Sequence, residues 1–217
     1  MNSMMTGQPA TAETPGTGSS GETEIARYLA QADPVDVLVA SGYLAGHDGN
    51  LIARRLRRPQ LRQALEHSVC HAVAPDPDCF YQGDEEPDSN WRRRRAATIR
   101  DHCAICPVRA ACAELALRDD DPHGVRGGLT QHKLALRLKT EHERLATARA
   151  DDTRAARDQN ELIQAATDVQ RIAQQYMGSS VPAGKRAENK AAILSAVERR
   201  DTLRLAHRAQ AGWEEAA

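Results

Sequence analysis

Three cysteines within ten consecutive positions restrict the fold of this chain more than any other feature. They are Cys103, Cys106 and Cys112, in the stretch DHCAICPVRAAC, and Cys79 precedes them to give the spacing C-x23-C-x2-C-x5-C. A fold that brings these thiols together must join a distant loop to two short helical segments. Such a set can form disulfides, hold zinc, hold an iron–sulfur cluster or act as a redox dithiol.

The composition limits the size of any single core. About one residue in six is Leu, Ile, Val or Phe and 3% of the residues are aromatic, which is low for a thick domain of 217 residues. Ala, Leu, Glu and Arg dominate and favour helices. The formal net charge of -1 gives no overall field toward nucleic acid, so a DNA contact would require a local basic face.

The chain carries no signal for a membrane or for secretion. No apolar run approaches the length of a membrane span, and the N-terminus lacks the basic start and apolar core of a signal peptide. We therefore expect a cytoplasmic protein with no membrane partner. Thiols stay reduced in the cytoplasm, so clustered cysteines there more often bind metal or take part in redox chemistry than form structural disulfides.

The residue pattern divides the chain into four segments and predicts an all-α fold. Residues 1–23 are rich in Gly, Ser, Thr and Pro and are predicted to be a disordered tail. Residues 24–74 show helical periodicity, which the glycine-rich SGYLAGHDGN loop interrupts. Residues 75–135 contain the four spaced cysteines. Residues 136–217 are predicted to be an extended, charged helical tail that is broken at MGSSVPAG.

The four cysteines are predicted to lie on one loop and two short helices. Three prolines in PDPDCFYQGDEEPDSN place Cys79 on a loop. Ser89 or Asn90 is predicted to cap a helix that runs to Cys103, and a second helix is predicted to carry Cys112. Each helical cysteine falls on an apolar stripe, so both are expected to face inward.

The residues alone do not decide between two kinds of metal centre. The number of thiols fits both zinc and an iron–sulfur cluster. The spacing lacks the paired C-x2-C knuckles typical of zinc ribbons and fingers, and it also differs from the C-x2-C-x2-C run of bacterial ferredoxins.

Three sequence elements in this order resemble the WhiB-like family of actinobacterial iron–sulfur transcription regulators. They are DCFY, CAICPVRAAC and ALRDDDPHGVRGG, all within residues 75–135. The resemblance implies a small helical domain with a 4Fe-4S cluster, whose ligands would be Cys79, Cys103, Cys106 and Cys112. It also implies a function in redox- or nitric-oxide-responsive transcription, without catalysis.

The resemblance implies partners as well. Members of the family associate with the C-terminal domain of the principal RNA polymerase sigma factor, and some contact promoter DNA. The family's glycine turn corresponds here to Gly124, Val125, Arg126, Gly127 and Gly128, with Arg126 where the family pattern has tryptophan. A large aromatic residue is often the main source of interface affinity, so its loss predicts weak or absent sigma-factor binding.

Two other functions are consistent with the residues. The apo C-x2-C dithiol of Cys103 and Cys106 would make the chain a protein disulfide reductase, although no βαβ pattern surrounds it. Alternatively, a structural zinc would stabilise an interaction module whose binding surface is the helical tail. Cys70, in EHSVCHAV, has no knuckle partner and is interpreted as a small buried core residue outside the site, with a fifth ligand or a reactive cysteine as the alternative.

Overall fold

The computed structural model describes residues 34–46, 49–176 and 182–210. The predicted tail, residues 1–23, and the start of the predicted helical segment after it lie outside the described residues. The helices are α1 (Val35–Ala40), α2 (Gly49–Ala53), α3 (Arg58–Leu65), α4 (Val69–Val73), α5 (Asp88–Thr98), α6 (Arg109–Arg118), α7 (Gln131–Thr140), α8 (His142–Tyr176) and α9 (Ala183–Gln210). Helices therefore dominate, and the prediction of an all-α fold is confirmed.

Short irregular elements connect the helices around the cysteines. A 3-10 turn covers Pro77–Phe80, and a π-helical turn, Ile99–Cys103, continues α5. The two-residue strands β1 (Val125–Arg126) and β2 (Leu129–Thr130) form an antiparallel hairpin, in which Val125 pairs with Thr130. No helix in the described ranges is long and apolar enough to cross a membrane.

Helix α6 lies at the centre of the domain. On one side, Ala110, Ala111 and Leu115 share a hydrophobic cluster with residues of α1, α2 and α3. The fully buried members of this cluster include Leu38, Leu44, Leu56, Leu61 and Val108. The backbone N–H of Ala110 also donates to the carbonyl of Leu44 over 3.0 Å. The described part of the N-terminal helical segment and the cysteine segment therefore share one core, although the sequence analysis divided them at residue 74.

The other side of α6 joins α8 through buried charges. The Arg118 guanidinium donates to Glu114 and to Asp152, each over 2.9 Å, and these three side chains are at most 8% exposed. Arg118 also donates to the carbonyl of Arg54 over 2.9 Å, and Arg144 reaches Glu114 over 2.8 Å. We call Glu114, Arg118, Arg144 and Asp152 the buried ion network. It fixes α8 against α6, because buried charges are tolerated only when each is paired.

The C-terminal tail folds back on itself in the described residues. The prediction of one or more long helices is correct, since α8 and α9 have 35 and 28 residues. The two helices pack along each other, with Ala165 and Asn189 buried. His207 near the end of α9 lines the same groove as Asp152 near the start of α8, so the pair is antiparallel. The expected extended tail is therefore a helical hairpin.

The start of α5 differs from the prediction. The helix begins at Asp88, and Pro87 occupies the capping position with φ −60° and ψ 139°, so neither Ser89 nor Asn90 is the cap. The carbonyl of Pro87 accepts the backbone N–H groups of Asn90 and Trp91 over 2.9 and 3.1 Å. The Pro87 carbonyl thus accepts the N–H of Asn90, one of the first-turn groups that a capping side chain would otherwise accept.

The buried ion network predicts unequal effects of two arginine substitutions. Arg118→Met should lower the free energy of unfolding by about 3 kcal/mol or more, because it leaves Asp152 and part of Glu114 buried without a cation. Arg154→Met is the matched control, because Arg154 is exposed and pairs with Asp151 at the surface; it should cost under about 1 kcal/mol. Urea unfolding followed by circular dichroism measures both, and equal losses would contradict the role assigned to Arg118.

Candidate cysteine site

The turn between α5 and α6 positions the three clustered cysteines. Cys103 closes the π-helical turn, a widened turn that is frequent at functional sites. The backbone N–H of Cys106 donates to the carbonyl of Cys103 over 3.2 Å, and that of Cys112 donates to the carbonyl of Val108 over 3.0 Å. Cys103 and Cys106 are 6% and 7% exposed. The expectation that Cys103 faces inward is therefore correct.

These cysteines surround a cavity of about 230 Å³. Its walls come from α3, the segment around α4, the 3-10 turn, the α5–α6 turn, α6 and the β-hairpin. The lining residues are Leu65, Ser68, Cys70, Phe80, His102, Cys103, Cys106, Arg109, Cys112, Val125, Arg126 and Gly127. Four of the twelve are cysteines, and all five cysteines of the chain have free thiols.

Cys70 is the residue that the sequence analysis left out of the site. Ser68 caps α4 by accepting the backbone N–H of His71 over 3.1 Å, and this short helix places Cys70 at the cavity. Cys70 thus lines the same cavity as three of the predicted ligands, and the prediction that it takes no part in the site stays untested.

Cys79 lies beside the cavity and is absent from its lining. It is part of the 3-10 turn, and its carbonyl accepts the hydroxyl of Thr98 over 2.8 Å. The neighbouring Phe80 does line the cavity and packs with Cys103 and Val125. The structure thus brings Cys79 near the other thiols, while its backbone is tied to α5.

The glycine turn contacts the cysteines through its backbone. Gly124, Gly127 and Gly128 have φ values of +69°, +54° and +75°, which side chains other than hydrogen rarely allow. A Cβ on Gly127 would lie 2.3 Å from the carbonyl oxygen of Arg109. Burial raises the pKa of Cys112 and of Cys103, and the backbone N–H groups of Gly127 and Gly128, which lie beside these two sulfurs, offset part of that rise. The turn therefore supplies amide donors to two thiols.

Arg126 is held at the edge of the cavity. Its guanidinium lies 5.1 Å from the ring centroid of Tyr81, donates to the Tyr81 hydroxyl, and pairs with Asp121 over 3.2 Å. Its positive charge also lowers the pKa of Cys112. The side chain is 25% exposed. Arg126 therefore folds back over the site and leaves no large apolar side chain projecting from the turn.

Burial dominates the protonation of the thiols. It raises the pKa of Cys112 to about 12 and that of Cys70 to about 11, and it raises the pKa of Cys103 despite the amide donor. The negative charge of neighbouring cysteines adds to the increase for Cys70. These thiols are therefore protonated at neutral pH in the protein without a bound group, and a metal that binds them must displace protons.

Two histidines that lie near the cysteines in the sequence have different surroundings in the structure. His102 lines the cavity, with its ring centroid 6.0 Å from that of Phe80. His67 bonds to Asp36 over 3.0 Å at the surface. Across the described ranges, no three side chains of His, Cys, Asp or Glu are arranged to hold a single metal ion.

Comparisons with known proteins define the class of this domain. The family "Transcription factor WhiB" matches residues 65–145, which carry the cysteine cavity, the glycine turn and α6. The transcriptional regulator WhiD of Streptomyces coelicolor is 34% identical over 83 residues, covering 38% of this chain and 71% of the relative. The redox-responsive transcriptional regulator WhiB3 of Mycolicibacterium smegmatis is 34% identical over 71 residues, covering 33% of this chain and 71% of that relative.

These similarities establish the family. The chain belongs to the WhiB family of transcriptional regulators. The match begins at Leu65 and ends at Leu145, so α1, α2, nearly all of α3, most of α8 and all of α9 lie outside it. No solved structure gives a significant match.

The pKa of Cys112 predicts a dependence of stability on pH for the reduced protein without a bound group. The native thiol keeps its proton up to a pH of about 12, whereas the unfolded thiol loses it near its ordinary pKa. Between the ordinary pKa of 9.0 and a pH of about 12, the unfolded state therefore binds fewer protons than the native state. The free energy of unfolding falls as the pH rises through this range. Urea unfolding at a series of pH values should give a shallower fall for Cys112→Ala, and identical slopes would contradict the assignment.

Proposed function

We propose that this chain is a redox- or nitric-oxide-responsive iron–sulfur transcription regulator. The observation that supports this most is the cavity that Cys70, Cys103, Cys106 and Cys112 line within the family domain. Thiolates are the usual ligands of iron–sulfur clusters, and four of them complete a 4Fe-4S site. The four thiols line a cavity and do not converge on a single point, which suits a cluster of several atoms better than one metal ion.

The residues around the thiols fit an anionic thiolate–cluster group. Gly127 and Gly128 direct backbone N–H groups at two of the sulfurs, and hydrogen bonds to sulfur are a main influence on cluster potential. Arg109 and Arg126 line the cavity and bring positive charge close to Cys103 and Cys112. When bound, the cluster supplies a centre that reacts with oxygen or nitric oxide. The protein's part is to hold the sulfurs in place and to balance their charge.

The fourth ligand has two candidates. Cys103, Cys106 and Cys112 are proposed ligands on both the sequence pattern and the cavity. The sequence analysis predicted Cys79 as the fourth, and that prediction stays untested. The cavity lining favours Cys70, which lines the cavity with the other three. Charge does not separate the two candidates, because the charges of both Cys70 and Cys79 interact with that of Cys103.

A set of alanine variants tests the cluster and its ligands. Cys103→Ala, Cys106→Ala, Cys112→Ala and Cys70→Ala should each lose most of the iron and sulfide, because each removes a thiolate that the remaining three cannot replace. Cys79→Ala, the matched control from the edge of the site, should keep its cluster. Iron and sulfide assays with visible absorption, on protein purified without oxygen, are the measurement.

The outcomes separate the alternatives. A Cys70→Ala variant with a full cluster and a Cys79→Ala variant without one would assign the fourth position to Cys79. A wild-type protein that holds zinc and no iron would overturn the proposal and favour the zinc-stabilised module. The disulfide reductase alternative has less support from the site, because Cys103 and Cys106 are buried and a redox dithiol needs an accessible thiolate.

We further propose that the sigma-factor contact of the family is weakened in this chain. A domain that docks on the glycine turn would meet the guanidinium of Arg126, held by Tyr81 and Asp121, in place of an apolar anchor. Burying that charge at an interface is costly unless the partner provides a carboxylate. DNA is the other candidate partner, and it would require a basic surface elsewhere on the chain.

A substitution at the turn tests this weakening. Arg126→Trp should strengthen binding to the isolated C-terminal domain of the principal sigma factor by roughly tenfold or more, because an aromatic anchor at a hot spot often contributes about 2 kcal/mol or more. Binding of the cluster-loaded wild type and Arg126→Trp is compared by calorimetry. Arg100→Trp is the control, because Arg100 is exposed and lies outside the glycine turn. Tight binding by the wild type that Arg126→Trp leaves unchanged would contradict the proposal.

A further inference from the structure

A second cavity lies away from the cysteines, between α3, α8 and α9. It is an open groove of about 1080 Å³. One wall is formed by residues from Arg57 to Arg62, the other by residues from Asp152 to Gln164, and His207 closes one end. All of these residues lie outside the family match of residues 65–145. The groove is therefore built by the segments that this chain adds to the family domain.

Two arginines give the groove a positive charge that the protein does not neutralise. Two charged lining residues are paired with residues outside the lining, Arg58 with Asp119 and Asp152 with Arg118. Arg57 and Arg62 are exposed, and neither has an ion pair among the described residues. Both belong to the first wall, so their charges face any ligand that enters the groove.

The opposite wall is polar and mostly uncharged. Thr153, Gln159, Asn160 and Gln164 line it. Its charged members are already paired, Asp152 with Arg118 and Arg157 with Asp158 and Glu161. Small alanines between them keep the groove wide. Arginine together with Thr, Asn and Gln is the set of side chains that contacts the phosphates of duplex DNA. From Asp152 to Gln164 the wall is about 18 Å long at the rise of an α-helix.

We propose that this groove binds the phosphate backbone of duplex DNA. The proposal deepens the proposed function, on which it rests, by naming the surface that would bring the regulator to nucleic acid. A protein partner fits less well, because the groove has no large apolar or aromatic side chain to serve as an anchor. Single-stranded nucleic acid fits less well for a related reason, since its bases stack on aromatic residues.

A pair of double variants tests the groove. Arg57→Ala/Arg62→Ala removes the two unpaired charges from the groove, and Arg92→Ala/Arg199→Ala is a control with the same change in net charge. Arg92 and Arg199 are exposed, have no ion pair in the described part of the chain and do not line the groove. Both variants and the wild type, each loaded with cluster, are titrated into a fluorescent duplex of arbitrary sequence over a range of salt concentrations.

The groove variant should bind at least about tenfold more weakly at low salt, and its plot of log K against log salt should lose about two units of slope. The control should stay within about twofold of the wild type. Equal losses in the two variants would overturn the inference, because they would reflect net charge alone. So would tighter binding of the wild type to single-stranded RNA or to polyglutamate than to the duplex.

Failure of this inference can be distinguished from failure of the proposed function. Cluster content is assayed in the same preparations that are used for DNA binding. A protein with a full cluster that does not bind duplex DNA would overturn the groove and leave the cluster proposal standing. A protein without iron that binds the duplex through Arg57 and Arg62 would support the groove and contradict the cluster.

Discussion

The buried ion network between α6 and α8 is the constraint on which the rest of the arrangement depends. Arg118 is almost fully buried and reaches Glu114, Asp152 and the carbonyl of Arg54, so it joins three segments through one guanidinium. The same helix, α6, carries Cys112 and packs so close to Gly127 of the glycine turn that a Cβ at that position would collide with the Arg109 carbonyl. The cysteine site and the added C-terminal hairpin are therefore fixed to one helix.

Much of the helical structure could be predicted from the periodicity of apolar residues, because that pattern depends on local structure. The helical pattern predicted the inward orientation of Cys103, and the break at MGSSVPAG separated two long helices as the structure has them. The pattern could not tell which surface those helices would contact. Nothing in the local sequence marks Glu114, Arg118 or Asp152 as buried, yet they are buried because ion pairs between α6 and α8 join residues 30 or more positions apart. Pairing at that distance leaves no local signal in the sequence.

The cysteine site shows the same division between local and distant information. The C-x2-C motif and Cys112 were predictable because they lie on adjoining turns. Cys70 was missed because helical position alone does not reveal which cavity a side chain lines, and that depends on how α4 packs beside the α5–α6 turn. The spacing of the four cysteines left the kind of metal centre open, and the three sequence elements that resemble the WhiB-like family implied an iron–sulfur cluster. The three-dimensional arrangement adds a fifth thiol close to them and two guanidinium groups at the cavity.

Native mass spectrometry of the full chain, purified and sprayed without oxygen, tests the central claim most directly. The account predicts a protein mass increased by four irons and four sulfides, with the loss of protons that four deprotonated thiols require. After controlled exposure to nitric oxide this species should disappear while the chain remains intact. A mass increased by a single zinc, or a fully protonated chain without added mass from cells replete with iron, would contradict the account.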